Sequence, residues 1–181
     1  KRRGFSIGID DYCITKETEE KVKSILDDTK YVSEVIGKIQ EIEHLVHDDD
    51  LSSLEAKIIK MLGSILDRAS LYILDEYSKR DPADANAMLT MILSGAKGNV
   101  VNITSLSVAV GQQIVNGGRL KRDRFRRTLP MWKPGSCDPE VQGFVRENYL
   151  NGLSPEGAFA HYMGGREGLV DTAVKTSRSG Y

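Results

Sequence analysis

Two stretches of apolar residues at helical spacing, joined by a short charged run, restrict the fold of this chain more than any other feature. Val22, Ile25, Leu26, Val32, Ile36, Ile39 and Val46 recur at steps of three, four and their sums, which is the period of an amphipathic helix. Thr15 stands where an N-cap would, with Glu17, Glu19 and Glu20 in the first turn against the positive end of the helix. The spacing predicts one helix of roughly 30 residues, tolerating Gly37 at about 1 kcal/mol. His47-Asp48-Asp49-Asp50 interrupts it, and Ser53 is placed to cap a second helix with the stripe Leu54, Ile58, Met61, Leu62, Ile65, Ala69, Tyr72 and Ile73. Two such helices across a short polar tip fold back as an antiparallel hairpin, with Leu54, Ile58 and Ile65 facing Val32, Ile36 and Ile25 or their near neighbours.

The rest of the chain is punctuated more closely. Residues 4–13 read as a short strand or extended entry, and Arg80-Asp81-Pro82 ends the hairpin. A third helix is expected over 83–93, stopped by Ser94-Gly95 and a turn at Lys97-Gly98. Asn116-Gly117-Gly118 is a strong turn signal. Residues 119–136 are basic and then broken by Pro and Gly, and 139–150 hold a helical turn or two. Ser154-Pro155-Glu156 opens a last helix, with Ser as N-cap and Pro at the first helical position. Its apolar positions Phe159, Tyr162, Met163, Leu169, Val170, Ala173 and Val174 run on with no C-cap beyond Gly180, so it reads as a helix cut short. Lys1-Arg2-Arg3-Gly4 likewise reads as the boundary of a piece. The expected fold class is mainly α: a long antiparallel hairpin within 1–82, a small module with little sheet over 83–152, and a terminal helix over 153–181.

Lys and Arg (25) nearly balance Asp and Glu (26), so net charge alone announces no nucleic-acid partner. Distribution says more. Every charged residue from Glu41 to Glu55 is acidic, whereas Arg119 to Lys133 is almost all basic, which argues for two surfaces with different neighbours. Residues 119–127 read either as a solvated loop with salt bridges to a neighbour or as an electropositive wall. Cys13 and Cys137 fit no metal spacing and read as reduced thiols of an intracellular protein. No apolar run approaches the ~20 residues of a membrane span. His44 and His47 beside three aspartates invite a metal reading, but hairpin tips are charged because they are solvated. Asp10 and Asp11, adjacent on an extended strand, would point to opposite faces. No metal ligands are expected. Gly164, Gly165 and Gly168 inside the last helix cost about 2–3 kcal/mol against alanine, which suits either close backbone packing or a hinge.

The run from Gly152 to Tyr181, "GLSPEGAFAHYMGGREGLVDTAVKTSRSGY", closely resembles the start of the bridge helix in the largest subunit of multi-subunit, DNA-directed RNA polymerases of the archaeal, eukaryotic and large-DNA-virus kind. "SGAKGNVVNITSLSVAVGQQ" (94–113) resembles that subunit's pore-lining segment, "GFSIGI" (4–9) the approach to its funnel, and "RTLP" (127–130) and "PEVQGFVRENYLNGL" (139–153) fall between at the family's spacing. The resemblance covers about half the chain; the hairpin is similar only in position and pattern.

The resemblance implies a nucleotidyltransferase assembly in which this chain lines the secondary channel, the nucleotide-entry route, and contributes to the bridge helix. Lys175, Thr176, Ser177 and Tyr181 would face nucleic acid or nucleotide. Lys97 and Asn102 would lie in the pore wall. Gln112, Gln113, Gly117, Arg119, His161 and Glu167 would line the pocket below the bridge helix, which takes amatoxins in the nuclear enzyme. Gly164, Gly165 and Gly168 would be hinge positions. Mg²⁺ would serve the whole polymerase from ligands outside this chain, leaving the chain inactive alone. Implied partners are the remaining subunits, template DNA, RNA, nucleoside triphosphates and a transcript-cleavage factor entering through the funnel, with no membrane. The compartment would be the nucleus, or host cytoplasm or virion for a virus. Ser177, Arg178-Ser179, Gly118 and the basic residues of 121–126 depart from the family and point to a divergent, viral lineage. The competing class is a stand-alone helical interaction or nucleic-acid-binding module.

Overall fold

The computed structural model describes residues 6–42, 48–79 and 86–180. Helices α1 (Lys16–Leu26), α2 (Thr29–Ile42), α3 (Asp48–Ser78), α4 (Ala87–Leu93), α5 (Val100–Ser107) and α6 (Pro155–Gly180) dominate. A two-stranded antiparallel sheet, β1 (Gly111–Gln112) with β2 (Phe144–Val145), completes the regular structure together with 3-10 turns at Ile9–Asp11 and Pro139–Gln142. The class is mainly α. The hairpin tip with His44, Val46 and His47, the Arg80-Asp81-Pro82 stop, Gly4, Phe5 and Tyr181 lie outside the described residues.

The single helix expected before the tip is two helices. Asp27 closes α1 with its N–H on Lys23 O at 2.8 Å, and Asp28 Oδ1 accepts the Tyr31 N–H at 3.4 Å at the head of α2. Aspartates favour helix ends because their side chains compete for backbone N–H groups, and two in succession outweigh the apolar period. The break lets each helix follow α3. Val22 and Leu26 of α1 pack with Ile65, Ala69, Ile73 and Tyr77. Val35 and Ile39 of α2 pack with Ile58 and Leu62. Position along α1 and α2 is thus matched in reverse along α3, and Tyr31 OH donates to Met61 O at 2.7 Å between them. The buried stripe is also rotated from expectation: Val35 and Ile39 are inside while Val32 and Ile36 are half-buried. Helix α3 begins at Asp48, so Ser53 lies within the helix and is not its cap.

Against the C-terminal half of α3, α4, α5 and the two residues that follow α5 add Met88, Leu89, Ile103, Val108 and Ala109 to the α1 cluster. Asn86 caps α4 through Leu89 N (2.8 Å), which starts that helix at Ala87; the expected positions 83–85 are outside the described residues. Residues 6–8 are extended but no strand follows: Ile9–Asp11 is a 3-10 turn. The Asp11 carboxylate is taken up by backbone N–H groups, Gly8 N at 2.8 Å and Ala87 N at 2.9 Å, so it joins the N-terminal segment to α4.

The sheet is held against α3 by a close approach. A Cβ at Gly111 would sit 2.3 Å from Leu66 Cδ1 and displace that methyl, and the φ of +84° itself favours glycine at this position. Ile58 is 0% exposed; Ile58→Ala should therefore lower unfolding stability by about 2–4 kcal/mol, read by urea denaturation, while Leu71→Ala, at a side chain 66% exposed, should shift it by less than about 0.5 kcal/mol.

Candidate functional site

The residues singled out near the sheet meet where β1 leaves it. Gln113 N donates to Gly143 O at 2.9 Å, continuing the pairing one residue past β1. The chain then reverses through Val115–Gly118, with Val115 N on Gly118 O at 2.9 Å and positive φ at Asn116 (52°) and Gly117 (78°). Two successive positive φ values are the type I′ geometry that Asn-Gly favours.

Helix α6 lies along the Gln113–Asn116 segment and meets it at three places. Ser154 starts α6 by accepting Gly157 N at 3.1 Å, with Pro155 at the first position. One turn on, His161 Nδ1 is 3.1 Å from Gln113 Oε1 and its Nε2 is 2.7 Å from Tyr149 OH. Gln113 Nε2 donates to Gly111 O at 3.0 Å, which turns Oε1 toward the ring. An acceptor there requires the proton on Nδ1, so in the neutral ring Nε2 accepts from the Tyr149 hydroxyl. Burial raises the Tyr149 pKa above its ordinary value, which keeps that hydroxyl a donor. Next, Gly164 rests on Gln113 and Ile114, where a Cβ would meet Ile114 O at 3.4 Å. Finally both carboxylate oxygens of Glu167 accept the Asn116 N–H, at 2.9 and 2.8 Å.

Beyond Glu167 the fastening ends. Gly165 and Gly168 have nothing within 4 Å of a built Cβ, so the close-packing reading applies to Gly164. Lys175, Thr176 and Ser177 are exposed. Lys175 Nζ pairs with Asp171 within the helix at 2.5 Å, and Thr176 Oγ1 donates to Thr172 O at 2.8 Å. Leu169 (72% exposed), Val170 and Val174 (44%) are also open. The apolar stripe is real, and no other part of the described chain covers it.

The structure thus brings Gln112, Gln113, Gly117, His161 and Glu167 into one neighbourhood. It places the others elsewhere. Arg119 turns into α3, its Nε 2.7 Å from Glu55 Oε1 and its Nη2 2.9 Å from Oε2, with the guanidinium side chain 1% exposed. A cavity of about 580 Å³ opens beside this pair, between α2, α3 and residues 118–122. Asn102 is engaged in a reciprocal cap with Asn99, at 2.8 and 3.2 Å, at the start of α5, and Lys97 is exposed in the bend before it. Sequence reasoning gave no site role to Tyr149, Asn116 or Glu55, whose partners are distant in the chain. Among the described residues no three His, Cys, Asp or Glu side chains gather to hold a metal. No described helix is long and apolar enough to cross a membrane.

Comparison with known proteins assigns the chain to a family. Residues 14–145 match the family model described as RNA polymerase Rpb1, domain 4. The chain belongs to the Rpb1 family of RNA polymerase largest subunits. Residues 152–181, the whole of α6 and its approach, match Rpb1, domain 5. The chain is 42% identical to the DNA-directed RNA polymerase subunit Rpo1N of Halococcus morrhuae, over 98% of this chain and 50% of that protein. It is 40% identical to Rpo1N of Methanocaldococcus jannaschii, over 99% of this chain and 13% of the relative, and 39% identical to that of Sulfolobus acidocaldarius, over 99% and 20%. The chain therefore spans half the length of the first relative and a fifth or less of the other two. These relatives are archaeal Rpo1N subunits, and the expectation of a viral lineage draws nothing from them.

Among the described residues, the Glu167 carboxylate makes the hydrogen bonds that tie the Asn116-Gly117 turn to α6. Glu167→Ala should speed amide exchange at Asn116 severalfold and cost about 1 kcal/mol, whereas Arg166→Ala one residue earlier should leave that exchange unchanged.

Proposed function

We infer that this Rpb1-family chain serves template-directed RNA synthesis by walling the secondary channel and supplying the first part of the bridge helix. The observation that carries this is the division of α6. Its first three turns are fixed to the Gln113–Asn116 segment, while everything past Gly168 projects without a partner in the described chain. An exposed helix that carries Leu169, Val170 and Val174 is built to be covered by something larger. Thr176 and Ser177 are small enough to let a base pair approach, and Lys175 adds a positive charge beside them. These three, with Tyr181, are the proposed nucleic-acid and nucleotide contacts.

In this reading Gly165 and Gly168 give the helix its flexibility, and Gly164 belongs to the fixed part. Gln112, Gln113, Gly117, His161 and Glu167 form the floor beneath the helix, with Arg119 bracing that floor on α3. The antiparallel packing of α1 and α2 on α3 forms the funnel wall of residues 1–82, through which a transcript-cleavage factor would enter. Residues 83–152 form the pore segment, with Lys97 and Asn102 on its wall, and 153–181 the start of the bridge helix. The other polymerase subunits, DNA, RNA and nucleoside triphosphates are the partners this role requires. Phosphoryl transfer would depend on Mg²⁺ ligands supplied outside this chain.

Bulk at the nucleic-acid face should block the template without unfolding the protein. In assembled polymerase, Thr176→Trp should slow elongation at least tenfold while assembly, checked by size, is unchanged. Val174→Trp, at a position 44% exposed, should likewise leave this chain folded. Wild-type elongation by Thr176→Trp would remove the assigned contact.

A further inference from the structure

Tyr149 is set in place before α6 begins. Its N–H donates to Ser105 O at 3.1 Å and the next N–H, of Leu150, to Leu106 O at 3.2 Å, so its backbone is fixed to the last turn of α5. Asn148, 8% exposed, braces the same corner by donating from Nδ2 to Ser107 O at 3.3 Å and accepting Asn151 N at 2.8 Å. From there the Tyr149 hydroxyl reaches His161 Nε2 at 2.7 Å, and the two ring centroids lie 5.5 Å apart. The other ring nitrogen, Nδ1, is 3.1 Å from Gln113 Oε1. The imidazole thus joins α6 to two segments that are each tied to the rest of the fold without it.

Gln113 does not adapt to a change in that ring. Its Nε2 donates to Gly111 O at 3.0 Å, and turning the amide over would set Oε1 against that carbonyl. Residue 113 therefore offers an acceptor only, and the link needs a proton on His161 Nδ1. A neutral histidine in water prefers its single proton on Nε2, which is the opposite tautomer. The Tyr149 hydroxyl opposes that preference by donating to Nε2, since the proton's place is set by the bond that the other nitrogen makes. The imidazolium carries both protons: Nδ1 still donates to Gln113, and Nε2 donates to the Tyr149 oxygen, which can accept as well as donate. Protonation therefore leaves the link intact, and the wrong neutral tautomer breaks it. Among the described residues, the titratable groups that face the ring are Tyr149 and, on α6 itself, Tyr162, whose centroid is 6.2 Å away. Glu167, further along the helix, is bonded to Asn116 N.

We propose that Tyr149 is a positioning residue, whose hydroxyl selects the His161 tautomer that holds the first turns of α6 on Gln113. Its consequence for elongation rests on the bridge-helix reading above; its consequence for the anchoring of α6 does not.

The test compares Tyr149→Phe with wild type in assembled polymerase at about pH 5.5 and about pH 8.5, on either side of the range in which an imidazole changes charge. Amide exchange across residues 158–166 and the elongation rate are read at each pH, always as the ratio of variant to wild type. At the higher pH the variant's neutral ring is free to take the other tautomer, so exchange should run about threefold faster and elongation about threefold slower. At the lower pH the imidazolium donates to Gln113 again, and both ratios should return to about one. Loss of a merely structural hydroxyl would give the same ratios at both pH values. Tyr162→Phe should match wild type throughout. Tyr149 is 43% exposed and phenylalanine keeps its ring, so the variant stays folded, which circular dichroism verifies. The proposal is overturned if exchange in Tyr149→Phe is unchanged at the higher pH, or if it is raised equally at both. Faster exchange confined to the higher pH, with wild-type elongation, would support the proposal and contradict the bridge-helix reading instead.

Discussion

Everything described depends on one face of one helix. Leu54, Ile58, Leu62, Ile65, Ala69, Ile73 and Tyr77 form an unbroken buried stripe along α3, a helix of 31 residues and thus about 45 Å long. An isolated helix owes most of its stability in a protein to such a face, because propensity alone is marginal in water. Helices α1 and α2 cover the stripe from one side, and α4 and α5 add to its C-terminal half. Leu66 packs against both apolar clusters, where it also touches the sheet through Gly111. A side chain at residue 111 would be strained by the φ of +84° and would displace the Leu66 methyl.

From that spine the rest is positioned by a few polar ties. Arg119 and Glu55 fix the strand-turn segment to α3 with two short charge-assisted bonds, and the buried guanidinium would be left uncompensated without its acid. The Asn116-Gly117 turn then presents an N–H to Glu167, and Gln113 presents a carbonyl to His161. Order passes along this route from a hydrophobic core to the first half of α6. It stops at Gly168, and no other part of the described chain covers the second half.

How much of this could be read in advance depended on the kind of signal. The stripe on α3 was legible because seven burials in period outweigh any local irregularity, and the Asn-Gly turn and the Ser-Pro start of α6 were legible because their backbone demands are local. The break at Asp27-Asp28 was not, since two capping residues compete quietly against a strong apolar period. The α6 stripe is a different case: periodicity reports that a face is apolar but not what covers it, and Leu169, Val170 and Val174 stand exposed in the described chain. The acidic and basic stretches were expected to serve separate surfaces, yet Glu55 and Arg119 join them. The Gln113–His161 link spans 48 residues, and no local pattern encodes it. The family resemblance supplied those residues as a group; the structure supplied their hydrogen bonds.

The central claim is that the distal half of α6 is a surface meant for nucleic acid. Thiol accessibility in the assembled polymerase tests it most directly, using Ser177→Cys in a background with Cys13 and Cys137 replaced by Ser, and Ser78→Cys on α3 as the control. The account predicts that loading a DNA–RNA scaffold slows labelling at 177 at least severalfold and leaves 78 unchanged. Equal labelling rates at 177 with and without nucleic acid would contradict it.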